Sequence, residues 1–140
     1  MLNRFERRTI EAAPHEPVRE VARRMRDEHV GLVVVAVDHK PVGVVTDRDL
    51  ATRVVASALD ASTPVSAVMS PDPISIVRDS SLDSAIALLR KSGVRRIPIV
   101  DEQGRLTGLV SADDLTVLLA DELSELAAGI EGNVEGAELR

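Results

Sequence analysis

The sequence contains no cysteine, no tryptophan and no tyrosine, and its single phenylalanine is Phe5. The lack of cysteine excludes disulfides, thiolate nucleophiles and cysteine metal sites together, and suits a reducing cytoplasm. The near-absence of aromatic rings removes the stacking platforms that single-stranded nucleic acid needs. The net charge is −6 and the basic residues are scattered arginines, so no basic face exists to release counterions from a nucleic-acid backbone. Nucleic acid is not an expected partner. The longest apolar run, Val30 to Val37, falls far short of the ~20 residues that span a bilayer, and no membrane partner is expected. Met1 to Arg8 carry positive charge with no apolar stretch behind them, which speaks against a secretory signal. The expected location is the cytoplasm.

What is present is aliphatic. The 140 residues are 44% hydrophobic and 29% charged, a composition that packs rather than remaining disordered. Valine, leucine, isoleucine, alanine and methionine must fill the interior. A shift of 64 positions superposes the chain on itself: Ile10 falls on Ile74, Val18 on Leu82, Val21 on Ala85, Met25 on Leu89, Val33 on Ile97 and Val35 on Ile99. After one inserted residue, Gly43 falls on Gly108, Val45 on Val110, Thr46 on Ser111, Asp49 on Asp114 and Leu50 on Leu115.

Each half reads as the same string of elements. Ile74 and Ile76 form a short extended piece. Leu82, Ala85, Ile86 and Leu89, and before them Val18, Val21, Ala22 and Met25, recur at helical spacing. Val30–Val37 and Val42–Val45, then Val94–Val100 and Leu106–Val110, predict a hairpin in each half, with turns at Asp38–Pro41 and Asp101–Gly104. Thr46 and Ser111 open second helices. The reading is an α/β (α+β) fold of two β-α-β-β-α repeats, the first over 5–60, a linker over 61–66, the second over 67–128 and a disordered tail over 129–140. A unit of about 60 residues buries too little surface to stand comfortably alone, so the halves should pack together.

Gly43-Val44-Val45-Thr46-Asp47-Arg48-Asp49 and Gly108-Leu109-Val110-Ser111-Ala112-Asp113-Asp114 resemble the Gly-hydrophobic-x-Thr/Ser-x-x-Asp motif of cystathionine β-synthase (CBS) domains. Val68–Ile74 resembles the usual approach to such a repeat, and Gly93–Asp101 its central strand. The resemblance is to tandem CBS pairs, or Bateman modules, of the small stand-alone bacterial type. It implies an adenine-nucleotide sensor in which Asp49 and Asp114 hold ribose hydroxyls and Thr46 and Ser111 contact phosphate. Thr9-Ile10 and Pro73-Ile74 would enclose the adenine, and Arg95 and Arg96, with Pro98 on the same strand, complete the candidate set. The first half has the uncharged Gly31-Leu32 where the second has Arg95-Arg96, which predicts unequal clefts; Arg48 would compensate by turning to a phosphate. The family's disc-shaped dimers imply a homodimer, to which the apolar stretch Leu115, Leu118, Leu119, Leu123 and Leu126 would contribute.

Elementary chemistry supports these roles beside a plainer one. A helix N-terminus offers free N–H groups to an anion, and a carboxylate accepts from a vicinal diol. Thr-x-x-Asp and Ser-x-x-Asp are equally ordinary helix starts, in which the hydroxyl caps an amide, and one residue can serve both ends. His15, His29 and His39 lack metal-ligand spacing, and no metal is expected. No nucleophile with a partnering base can be named, so the chain reads as a non-enzyme with no catalytic cofactor. The resemblance implies an adenosine-containing ligand: AMP, ADP, ATP, S-adenosylmethionine or NAD. The rival reading is a ligand-free dimerisation or protein-interaction module.

Overall fold

The structure, a computed structural model, describes Leu2 and residues 7–138, with side chains as far as residue 132. Phe5, at the start of the expected first repeat, lies outside the described residues. The first half contains β1 (Ile10–Ala12), α1 (Val18–Glu28), β2 (Leu32–Val37), β3 (Lys40–Thr46) and α2 (Asp47–Asp49), which runs on into a π-helical stretch, Leu50–Val55. A 3-10 turn, Val65–Ala67, and β4 (Ser70–Pro71) lead to the second half, β5 (Ile76–Val77), α3 (Leu82–Ser92), β6 (Arg96–Val100), β7 (Leu106–Ser111) and α4 (Ala112–Glu138). The β-α-β-β-α order occurs twice.

Local chemistry explains the elements. In β2 the branched and small residues Leu-Val-Val-Val-Ala are all buried, as suits a central strand running parallel to β1 and antiparallel to β3. Its hairpin turns through Asp38 and His39, both at positive φ (51° and 64°), the conformation a two-residue turn demands. Helix α1 buries Val18, Val21 and Met25, and α3 buries Ala85 and Leu89, the faces that the spacing marked. Ser81 starts α3 by accepting the Ser84 N–H at 3.1 Å, and Gly93, at φ 71°, ends it. His29 ends α1 at the corresponding place, at φ 55°.

The two sheets do not follow the halves of the chain. The first sheet has the order β1-β2-β3-β4 and the second β5-β6-β7. β4, from the segment that leads into the second repeat, pairs with β3 of the first, Gly43 opposite Pro71. Reciprocally, Arg7, which leads into the first repeat, bridges Leu109 of β7 through two backbone bonds of 2.9 and 3.1 Å. The cores repeat the exchange: Val65 and Val68 are buried with Ile10, Val21, Val33 and Val45, whereas Leu2 is buried with Ala85, Ile97, Ile99 and Val110.

Two expectations need correction. Residues from Gly129 onward, read as a disordered tail, continue α4 as helix through Glu138; the last two residues lie outside the described set. Glu131, Glu135, Ala137 and Glu138 supply helix propensity in this stretch, and Gly129 and Gly132 meet no neighbouring group that would oppose a helix. Ile74 is not in a strand: it is 41% exposed in the connection between β4 and β5, because extended pairing with β6 begins only at Ile76.

Candidate ligand site

Ser111 ends β7 and starts α4, and its Oγ accepts the Asp114 N–H at 3.0 Å. That cap turns the Asp114 carboxylate into a cleft of about 300 Å³ between the halves. Arg96, Ser111, Asp113 and Asp114 line it from the second half, and Arg7, Arg8, His29, Gly31 and Leu32 from the first. Three guanidiniums and two carboxylates therefore surround one helix N-terminus, a setting suited to a group with both an anion and hydroxyl donors. Arg7 grips Asp114 through both carboxylate oxygens, Nη2 to Oδ1 at 2.7 Å and Nε to Oδ2 at 2.6 Å.

Two further cavities share lining residues with the cleft. One of about 450 Å³ shares Arg8, His29 and Val30 and is walled by Ile10 and Asp27. The Asp27 carboxyl is held below its usual range, chiefly by the hydrogen bond from Arg26. The other, about 460 Å³, has Arg8 in common with the cleft and is lined also by Thr9, Ile10, Glu11, Arg24 and His39. Thr9 Oγ1 is buried beside this cavity with no hydrogen-bond partner among the described residues, a polar atom whose desolvation they do not offset. Ile10 is otherwise part of the first core.

The matching motif of the first half is arranged differently. Thr46 Oγ1 accepts the Asp49 N–H at 3.1 Å, and Asp49 Oδ2 accepts the Thr46 N–H at 2.9 Å, a closed reciprocal cap. Arg53 lies 3.5 Å from the other Asp49 oxygen. Neither Thr46 nor Asp49 lines the Ser111 cleft. Arg48 is exposed and its N–H goes to Asp47 Oδ1 at 2.9 Å. Arg96, at the start of β6, lines the cleft, its Nη1 3.5 Å from where a Gly31 Cβ would stand, while Arg95, just before the strand, is outside the lining and pairs with Asp113 at the cleft's exposed rim. Pro98 is fully buried in β6, and Ile74 stands apart from the cleft lining.

Arg7, Arg8, His29 and Asp113 are not among the ligand-site candidates read from the sequence. The signal for Arg7 was available: shifted by 64 it falls on Pro71, within the segment read as the approach to the second repeat. A larger groove of about 750 Å³ lies elsewhere, between α1 and the Leu50–Val55 stretch. It is apolar, with Arg19, Arg23 and Arg26 lining it and no carboxylate, and so lacks the mixed polar groups of the cleft. Among the described residues no group of three or more potential ligands could hold a metal, and no helix is long and apolar enough to cross a membrane.

Known proteins share this fold. The family model described as CBS domain matches residues 7–56 and 65–121. The CBS domain-containing protein YhcV of Bacillus subtilis is 38% identical over 117 residues, which cover 84% of this chain and 81% of YhcV. Inosine-5'-monophosphate dehydrogenase of Thermoplasma acidophilum is 36% identical over 104 residues, 74% of this chain but 20% of that enzyme. The solved CBS domain protein PAE2072 of Pyrobaculum aerophilum, complexed with AMP, is 29% identical with a TM-score of 0.71, over 82% of this chain and 92% of that one.

Proposed function

Since the chain belongs to the CBS domain family, with one repeat in each half, we infer that it is a regulatory module that binds an adenine nucleotide of the AMP, ADP or ATP type and performs no chemistry on it. The observation that carries this reading is the cleft at the N-terminus of α4, where a carboxylate, a hydroxyl and guanidiniums from both halves converge. Asp114 would accept from the ribose diol, and Ser111, the first turn of α4 and Arg96 would hold phosphate. Thr9 and Ile10, along the adjoining cavities, suit the edge and face of a base. The AMP complex of the 29%-identical relative supports the ligand class. The likeness to the dehydrogenase spans one-fifth of that enzyme and brings none of its catalysis.

The first-half motif offers a weaker second site. Thr46 and Asp49 would have to give up their reciprocal cap to meet a ligand, and Arg48 is the nearest additional charge on that turn. Regulation would follow from differential affinity: a ligand touching both halves favours whichever arrangement binds it more tightly. The working location is the cytoplasm, and the assembly a homodimer. A thermal-shift screen of adenosine compounds tests the reading, because a ligand bound only by the folded state raises Tm. AMP, ADP or ATP should raise it; no shift with any adenosine compound at millimolar concentration would overturn it.

A specific observation favours the rival, ligand-free interaction module. Leu119, Leu123, Leu126 and Ile130 alternate at four and three residues along α4, all exposed, which is the spacing of a helix-pairing seam. Sedimentation of the unliganded protein, compared with a variant carrying Leu123→Glu and Leu126→Glu, separates self-association from nucleotide binding.

A further inference from the structure

In the structure the carboxylate assigned to the ribose is already taken. The Arg7 fork bridges both Asp114 oxygens, at 2.7 and 2.6 Å, and a vicinal diol bridging the same two oxygens needs the same face. The pair crosses the boundary between the halves, whereas Asp49 is met by Arg53 four residues along its own helix. The two ends of Arg7 also differ in freedom. Its backbone is fastened to Leu109 on both sides, while its side chain is 72% exposed and Asp114 is 20% exposed. The guanidinium can therefore swing by side-chain rotation alone, about an anchored Cα at the wall of the cleft.

Resting on the nucleotide reading above, we propose that Arg7 is the specificity-determining residue of the cleft: it holds Asp114 when no ligand is bound, yields the carboxylate to the incoming diol, and transfers its charge to the ligand's phosphate. The exchange is favourable only when the ligand brings that phosphate. A nucleoside displaces Arg7 and leaves its guanidinium with solvent alone. A nucleotide displaces it and supplies a new anion one helical turn away, where Ser111 and the start of α4 already favour negative charge. Arg7 thus converts a site for ribose into a site that requires a phosphorylated ribose.

Calorimetric titration of adenosine and AMP into the full chain tests this. Replacing Arg7 by glutamine should move the two affinities in opposite directions. Adenosine should bind about two- to fivefold more tightly, since an exposed ion pair is weak to break, and AMP about tenfold more weakly, since a charge-assisted contact is lost. Arg7→Lys should retain most of the preference, and Arg90→Gln, on the exposed side of α3, should match the wild type. A damaged fold would weaken both ligands together, so parallel losses in Arg7→Gln overturn the proposal, as does an unchanged AMP-to-adenosine ratio. A wild type that binds neither compound overturns the nucleotide reading itself and this inference with it.

Discussion

The glycine that opens the first motif is explained by packing, and the explanation can be measured. A Cβ added at Gly43 would stand 2.3 Å from Met69 Sδ, 2.8 Å from Cγ and 3.1 Å from Cε. Non-bonded contacts settle near 3.5–4.0 Å, so the methyl overlaps the thioether by more than an ångström. Met69 is partly buried against the first core and follows the buried Val68, which limits its retreat. Overpacking of this kind costs about 1–3 kcal/mol, and the three rotatable bonds of methionine bring the expectation for Gly43→Ala to about 1–2 kcal/mol. With Met69→Ala as background, the clash is gone. Alanine is then favoured over glycine in a strand by about 0.5–1 kcal/mol, so the same substitution should be neutral or stabilising. Urea unfolding of the two single variants and the double variant gives the coupling, expected at about 2 kcal/mol. An equal cost of Gly43→Ala in both backgrounds would refute the account.

Three further outcomes follow from the geometry. Asp114→Asn should abolish the AMP-induced rise in Tm, whereas Asp49→Ala should keep it while lowering the unliganded stability by about 1 kcal/mol, because the Thr46 N–H loses its side-chain acceptor; the reverse pattern would move the site to the first motif. The Asp60 carboxyl is held below its usual range by the Ser62 hydroxyl and then by the Ser62 N–H. A carboxyl lowered in the folded state adds stability above its unfolded value and loses it as pH falls, so Ser62→Ala should raise the Asp60 midpoint in an NMR titration; an unmoved midpoint counts against the contact. Gly129→Ala with Gly132→Ala meets no neighbour and should gain about 0.8–1.0 kcal/mol of helix propensity at each position, visible as stronger far-UV helical dichroism. No gain would contradict the continuation of α4.

The repeat and the core faces were legible because they depend on periodicity, which survives in any single sequence, and the CBS pair through the resemblance of its two motifs, Gly43–Asp49 and Gly108–Asp114, to the family's. Val21, Met25, Ala85 and Leu89 are buried where helical spacing put them, and Val33, Val35, Ile97 and Ile99 where strand alternation and turns put them. The cleft was legible by half. Ser111, Asp114 and Arg96 share it, and the closing of Asp49 into a cap was visible only as an alternative. Arg7 was legible only through its offset from Pro71, which marks its place in the repeat and not its contact with Asp114. Its role comes from a single backbone bridge to Leu109, more than a hundred residues away, and one arginine ahead of a strand has no pattern to announce it. The extent of α4 was misjudged because three glycines were given more weight than the helix-forming residues between them.

The crossed lead-in segments limit how the halves can move. To hinge open about the connection at 61–66, the molecule would have to unzip Arg7 from Leu109 and Ser70–Pro71 from β3 at the same moment, and draw Leu2 out of one core and Val68 out of the other. Such a clasp turns two marginal lobes into a single cooperative unit. A polypeptide severed within that connection should therefore yield fragments that gain order only on recombining, each supplying the edge that completes its mate.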